Sequence, residues 1–211
     1  MSLVIDHFFC FCEPILPEVK ILEDQGFVIY PGNVHAGQGT ANRAVIFESN
    51  YFEMLYLNSE SEAQTNPLKM NLRANWKASG ASPFGIALRG TIPDIDMENF
   101  WDYCPPYNKD LTIKMHKYSD ERPDFPLLFV MPPLKTVNQE NLKFKSFHPH
   151  KTASTKILKI DIKAPFVEWP MSVNVEGLNF HSSTLTTADI SVDGNAEKII
   201  QLNEILTLTI I

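Results

Sequence analysis

The 211-residue chain contains few glycines, with 9 against 15 prolines. Proline fixes the backbone angle φ and donates no backbone hydrogen bond, so it ends helices and central strands. This balance predicts a chain of many short elements and weighs against a long helical bundle.

Basic charge is also scarce, because 18 Lys and Arg stand against 25 Asp and Glu, for a net charge of −7. A dedicated nucleic-acid binder needs a basic surface to neutralise phosphates. We therefore expect no nucleic-acid partner. The 44% of hydrophobic and 20% of charged residues are typical of a globular protein rather than a disordered one.

Long apolar runs and a cysteine framework are missing too. No stretch reaches the roughly 18 apolar residues of a membrane-spanning helix, and the first residues do not have the pattern of a signal peptide. Cys10, Cys12 and Cys104 are an odd number without metal-type spacing. We expect a cytoplasmic protein with reduced thiols and no membrane partner.

The chain repeats an order of short elements. Residues 3–12, 27–30, 43–48 and 51–57 have strand composition, and apolar spacing predicts a helix over 14–25. After a polar segment with a helix around 68–77, the pattern predicts strands over 84–89, 111–118 and 125–131 and a helix over 94–103. The last third predicts strands over 157–162, 173–180, 184–192 and 204–211, with a helical turn near 196–202. The fold class predicted is α+β with mainly antiparallel sheet.

Three segments then carry a resemblance. They are Asp6-His7-Phe8, the loop from His35 to Arg43 (His-Ala-Gly-Gln-Gly-Thr-Ala-Asn-Arg), and the strand Tyr51-Phe52-Glu53-Met54-Leu55. In this order they resemble the glyoxalase-like domain family of the vicinal oxygen chelate superfamily. The resemblance is strongest over residues 1–57.

The resemblance implies paired βαβββ modules that form an open half-barrel around a cavity, here with extra C-terminal strands. The expected organisation is a first module over 1–57, a linker over 58–82, and a diverged second module with a β extension over 83–211, all in one compact unit. It also implies a divalent metal (Zn, Ni, Mn or Fe) with ligands on the first and last strands of each module. His7 and Glu53 match the two positions of the first module, and an imidazole and a carboxylate suit these metals.

The second module departs from that pattern. Residues 84–88 and 125–131 contain no His, Glu, Asp or Gln, and a catalytic metal usually has three protein ligands. His150, Glu168 and His181 are open alternatives for a third ligand. An equally open alternative is a hydrogen bond between His7 and Glu53 without metal, which would satisfy both buried groups.

The glycine-containing loop is the second candidate site. As the resemblance implies, ligand-binding residues here are His35, Gly37, Gly39, Thr40, Asn42 and Arg43. Backbone amides of such a loop can bind carboxylate or phosphate oxygens, and Arg43 could add a bidentate contact. Alternatively, Gly37 and Gly39 only permit a tight bend, and Thr40 and Asn42 fasten the loop to the sheet.

Three classes of function follow. The first is a divalent-metal-dependent lyase, isomerase or dioxygenase that acts on a small polar metabolite, with Glu53 as catalytic base. The second is a metal-free protein that binds or sequesters a small molecule in the same cavity. The third is a structural or interaction module, and a homodimer is an open alternative.

Four side-chain placements complete the expectations. Neighbours on a strand point to opposite faces, so Asp6 is expected to face away from His7. Polar neighbours predict that His116 lies at the surface, that the segment from His148 to His150 is a solvated loop, and that residues 59–62 are a solvated linker.

Overall fold

The structure is a computed structural model that describes residues 2–14, 17–133, 148–165 and 168–211. Ile15 and Leu16, included in the first predicted helix, lie outside the described residues. The helices are α1 (Pro17–Asp24), α2 (Glu60–Thr65), α3 (Met70–Ala74), α4 (Trp76–Ser79) and α5 (Tyr118–Glu121), with a 3-10 helix over Asp94–Asn99. The strands are β1 (Val4–Phe11), β2 (Ile29–Tyr30), β3 (Val34–His35), β4 (Thr40–Ile46), β5 (Tyr51–Leu57), β6 (Phe84–Arg89), β7 (Phe100–Tyr103), β8 (Ile113–His116), β9 (Leu127–Met131), β10 (Ile157–Ala164), β11 (Leu178–Ser182), β12 (Thr187–Val192), β13 (Lys198–Gln201) and β14 (Leu206–Ile210).

The larger sheet is built from two copies of one topology. Its strand order is β2-β4-β5-β1-β6-β9-β8-β7, with β3 paired to β4. From the centre outward, β1-β5-β4-β2 mirrors β6-β9-β8-β7, and the innermost pair in each half, β1 with β5 and β6 with β9, is parallel. β1 and β6 join the halves as an antiparallel pair. The α+β fold with paired βαβββ modules is therefore confirmed.

The smaller sheet contains the C-terminal strands in the order β11-β10-β12-β14-β13. The two faces of β1 show where this sheet lies. Phe8 and Cys10 share a buried cluster with Ile160 and Leu206 of the smaller sheet, whereas Phe9 belongs to a separate cluster on the opposite face. The smaller sheet thus covers one face of the larger sheet and leaves the other face for a cavity. In the described ranges, no helix combines the length and apolar character needed to cross a membrane.

Two predicted helical segments are strands in the structure. The helix expected over 94–103 is a 3-10 helix only to Asn99, after which Phe100 pairs with His116 of β8. The helical turn expected near 196–202 is replaced by β13, in which Lys198 pairs with Ile210 of β14. In both cases pairing with a neighbouring strand outweighs local spacing, as is common for short segments.

The segment over 58–82, predicted as a linker, contains helices α2, α3 and α4. Arg73 of α3 is buried and donates hydrogen bonds to the backbone oxygens of Ser82, Ser119, Pro123 and Phe125, at 2.9–3.3 Å. Burial lowers the pKa of Arg73 to about 10. This side chain fixes the segment to the second module, because four carbonyl groups would lose a donor without it.

Candidate active site

A cavity of about 190 Å³ lies on the open face of the larger sheet. Strands of the first module supply one wall and strands of the second module supply the other. Its lining residues are His7, Phe9, Asn33, His35, Gln38, Asn42, Tyr51, Glu53, Leu55, Leu68, Met70, Tyr103, Tyr107, Leu111, Ile113, Met115, Leu127, Phe129 and Met131.

The first-module wall brings together three predicted site residues. β1 and β5 run side by side, with His7 opposite Tyr51 and Phe9 opposite Glu53. The His7 Nε2 and Glu53 Oε2 atoms are 3.8 Å apart. Asn42, on β4, donates from its Nδ2 to Glu53 Oε1. Glu53 is only 7% exposed, so the carboxylate is oriented by these neighbours rather than by bulk water.

Asp6 does not face away from His7, so that prediction was wrong. The pairing of β1 with β6 shifts register between Ile5 and His7, which leaves Asp6 as the extra residue of a β-bulge. Its Oδ1 lies 2.7 Å from His7 Nδ1, and Arg89 donates from Nε to Asp6 Oδ2. Because a carboxylate only accepts, it fixes the His7 proton on Nδ1 and leaves Nε2 directed toward Glu53.

Aromatic rings hold the His7 imidazole on both sides. The Tyr51 ring stacks on it with a centroid distance of 4.3 Å and an interplanar angle of 15°, and Phe129 meets it edge-on at 5.4 Å. Burial, together with the charges of Glu53 and Asp6, raises the pKa of Tyr51 well above its usual value. Tyr51 therefore stays protonated and neutral beside the histidine.

His35 lines the same cavity on the loop side. Its Nδ1 is 2.9 Å from Thr40 Oγ1, and its ring stacks on Tyr107 at 5.0 Å. Burial lowers the pKa of His35, an effect opposed by Glu53 and reinforced by His7. The pKa of Tyr107 is raised, chiefly by burial. Neutral rings thus border His7 and Glu53.

The structure does not bring the other predicted loop residues to the cavity wall. The Gly37 N–H donates to Glu62 Oε2 at 2.7 Å, and the Gly39 N–H donates to the His35 carbonyl at 3.2 Å. Neither amide is therefore directed at a ligand. Arg43 follows Asn42 on β4, faces away, and donates to the Asn42 carbonyl.

Thr40 is fully buried behind the wall and accepts from Gln38 Nε2 at 3.0 Å. Residues 59–62 are not a solvated linker as predicted, because Glu62 anchors the glycine loop and Ser59 caps α2. These contacts agree with the alternative in which the loop residues hold the loop to the rest of the fold rather than bind a ligand.

The part of the second-module wall formed around β8 and β9 is apolar. It consists of Leu111, Ile113 and Met115 from β8 and its approach, with Leu127, Phe129 and Met131 from β9. On β6, Ala87 is the residue paired with His7. As Phe9 lies opposite Glu53 in the first module, Arg89 lies opposite Met131 in the second, so the positions that match His7 and Glu53 hold Ala87 and Met131. Tyr51, Tyr103 and Tyr107 are lining residues that sequence reasoning missed, although Tyr51 shares a strand face with Glu53.

The candidate third ligands lie elsewhere. His150 is buried, against prediction, accepts from the Val28 N–H at Nδ1, and has its Nε2 3.0 Å from the Ile46 carbonyl. His181 bonds to Asp161. Glu168 borders a separate pocket beside His116, which is also buried rather than at the surface.

The described residues hold no group of three His, Cys, Asp or Glu side chains arranged for a metal ion. His7 and Glu53 supply two donors, whereas the matching residues of the second module, Ala87 and Met131, supply no nitrogen or oxygen donor. The donor set therefore does not fit the three-ligand centre of a catalytic metal.

Comparison with known proteins agrees with this architecture. A hypothetical protein from Staphylococcus aureus is 10% identical, with both chains covered completely and a TM-score of 0.65. Methylmalonyl-CoA epimerase from Mycobacterium tuberculosis is 13% identical over 62% of this chain and 88% of its own, with a TM-score of 0.40. No curated protein matches the sequence. The glyoxalase-like domain matches residues 5–165, and the chain therefore belongs to the glyoxalase-like domain family.

Proposed function

We propose that this protein is an enzyme that moves a proton on a small carbonyl compound, as an isomerase or lyase, with His7 and Glu53 as the acid–base pair. The observation that carries the proposal is the arrangement of Asp6, His7 and Glu53 at one wall of the cavity. Asp6 orients His7, and the free His7 Nε2 faces Glu53 Oε2 at 3.8 Å.

The electrostatics of the pair support proton transfer. With the His7 proton held on Nδ1 by Asp6, both Nε2 and the Glu53 carboxylate are proton acceptors. Binding of one proton between two facing acceptors is favourable, because the resulting imidazolium is attracted to the carboxylate. The pair can therefore take a proton from a substrate and return it, and positioned groups of this kind typically accelerate a reaction about 10²–10⁴-fold.

The cavity limits the substrate. Since an apolar cavity of about 150 Å³ holds benzene, a cavity of about 190 Å³ suits a molecule slightly larger than benzene. Its polar end would face Glu53 and Asn42, and a hydrocarbon part would lie against Phe129 and Leu127. The donor set does not favour the dioxygenase alternative, which requires an iron held by three protein ligands.

The test is exchange of substrate protons with solvent. The protein is incubated in D₂O with a panel of small 2-oxo acids and α-hydroxyketones, and loss of the α-proton signal is followed by ¹H NMR. We expect exchange above the buffer rate for at least one compound, and its loss in His7→Asn, which keeps a polar side chain of similar reach. Exchange at the buffer rate for every compound would reject the proposal.

A metal-free binding protein is a second candidate, and the apolar second-module wall favours it. Apart from the phenol groups of Tyr103 and Tyr107, that half of the cavity provides contact area for a ligand and no acid or base. Under this alternative, the same panel gives saturable shifts of protein resonances without proton exchange. Those shifts would be lost in a cavity-wall variant such as Phe129→Ala.

A further inference from the structure

A second cavity, of about 260 Å³, lies between α1, helices α3 and α4, and the turn that joins β13 to β14. It is separate from the candidate active site. Helix α3 divides the two, because Met70 lines the first cavity and Asn71 and Ala74 line the second. The remaining lining residues are Phe11, Cys12, Glu13, Pro14, Glu18, Leu57, Glu60, Asn75, Trp76, Lys77, Asn203, Glu204 and Ile205.

Glu18 is a buried polar residue of this cavity, and one of its two carboxyl oxygens lacks a hydrogen-bond donor. The residue lies in the first turn of α1 and is only 2% exposed. Its Oε1 accepts from Asn203 Nδ2 at 2.7 Å, whereas its buried Oε2 has no hydrogen-bond partner among the described residues. Asn71 Oδ1 is a second buried acceptor without a partner in the same part of the chain. A buried acceptor left unsatisfied is costly, so both atoms call for a donor.

The charges around the cavity define what kind of donor fits. Four glutamates line it (Glu13, Glu18, Glu60 and Glu204), against one cationic residue. That residue, Lys77, is 62% exposed at its side chain and is paired with Glu204 at 2.5 Å. The Lys77 ammonium lies 5.3 Å from the Trp76 ring centroid. Lys77 is thus engaged by Glu204, whereas the neighbours of the Glu18 side chain are the amide of Asn203 and the thiol of Cys12, neither of which is cationic.

We propose that this cavity binds a small organic cation, a primary ammonium or guanidinium compound, with Glu18 as the anionic contact and Asn71 as an additional acceptor. A cationic donor would give Glu18 Oε2 its missing hydrogen bond, and bonds between charged partners are the stronger kind. The volume suits a ligand larger than benzene, which fills a cavity of about 150 Å³. This cavity shares no lining residue with the candidate active site.

Isothermal titration calorimetry of the full chain with 1,4-diaminobutane tests the proposal, with uncharged 1,4-butanediol as the matched probe. We expect saturable binding of the diamine only. Glu18→Gln keeps the shape of the side chain and removes its charge, and should weaken diamine binding at least about tenfold. Glu23→Gln, on the exposed face of the same helix, removes one charge elsewhere and should leave affinity within about twofold.

A second variant tests the proposal independently if Glu18→Gln does not fold. Asn71→Asp adds a carboxylate beside the same space and should tighten diamine binding several-fold. Equal binding of diamine and diol, no saturable binding of the diamine, or unchanged affinity in both Glu18→Gln and Asn71→Asp would overturn the proposal. A Glu53→Gln control should bind the diamine as the unmodified protein does, so the result is independent of the proposed enzyme activity.

Discussion

The two modules of the larger sheet share a strand order but not a chemistry. In the first module, β1 and β5 bring His7 and Glu53 to the cavity. In the second, the corresponding strands β6 and β9 carry Ala87 and Phe129 at the cavity face. Topology depends on which strands pair, whereas chemistry depends on single side chains, so one half can keep the fold and lose the ligands.

The second module nevertheless contributes to the site. Arg89, on β6, donates to Asp6, and Asp6 in turn bonds to His7. Phe129 packs edge-on against the imidazole. The second half of the sheet thus positions and desolvates the groups of the first half, and the predictions below test that division.

The largest expected effect is that of Glu53→Gln. The amide keeps the size of the side chain and can still accept from Asn42, but it cannot take a proton. We expect the exchange rate of substrate α-protons to fall about 10²–10⁴-fold. The matched change on the other wall, Phe129→Leu, should lower the rate no more than about tenfold, since it removes packing only. Equal losses in the two variants would contradict the division of roles.

Phe129→His should create a metal-binding site in the cavity. The new imidazole would lie where the Phe129 ring now faces His7 at 5.4 Å, and would add a third donor to His7 and Glu53. We expect Zn²⁺ affinity, measured by competition with a chromophoric chelator, to rise roughly a hundredfold over the unmodified protein. Phe129→Leu is the control. An unchanged affinity in Phe129→His would show that the two donors are not arranged for metal.

Asp6→Asn tests the bulge. The amide removes the negative charge that stabilises a protonated His7 and no longer fixes its tautomer. Loss of such a supporting contact typically costs about 10–100-fold, so we expect that reduction in exchange rate. Asp102→Asn, at an exposed aspartate of β7, serves as the control and should have no effect. An unchanged rate in Asp6→Asn would mean that His7 is oriented by its aromatic neighbours alone.

The smallest effect concerns pH and stability. Burial lowers the pKa of His35 in the first module, His116 in the second, and His150 beside β4. The unfolded chain then binds more protons below its histidine pKa of about 6.5. Stability is therefore full above that pH and falls as pH drops toward the lower folded values. We expect the Tm to fall by several degrees between pH 7.5 and 5.5, and a constant or rising Tm would contradict this.

Comparing variants of these histidines sharpens the contrast between modules. His116→Gln and His35→Gln each remove one histidine that binds a proton more readily in the unfolded chain than in the folded chain. Each should therefore flatten the dependence of Tm on pH, even if it also lowers Tm at pH 7.5. A slope that does not change in either variant would assign the acid sensitivity to other groups.

Local patterns in the sequence predicted the order of short elements, whereas the resemblance implied the paired-module fold and the residues of one wall. It put Glu53, on the Tyr51–Leu55 strand, beside His7 at the cavity. The apolar composition of residues 84–88 and 125–131 already indicated a wall without ligands.

Other features depend on contacts between distant segments. Asp6 reaches His7 only because β6 pairs with β1 through a bulge, which strict alternation along a strand does not anticipate. His150 is surrounded by polar neighbours in sequence, yet it is buried because it bonds to the backbone of Val28 and Ile46. Glu62 anchors Gly37 from 25 residues away.

The most direct test of the central claim is the α-proton exchange rate of the unmodified protein before and after removal of divalent metal with EDTA. If the first-module wall alone performs the chemistry, the rate stays within about twofold after chelation and after addition of Zn²⁺ or Mn²⁺. Exchange that disappears on chelation and returns with metal would contradict the account.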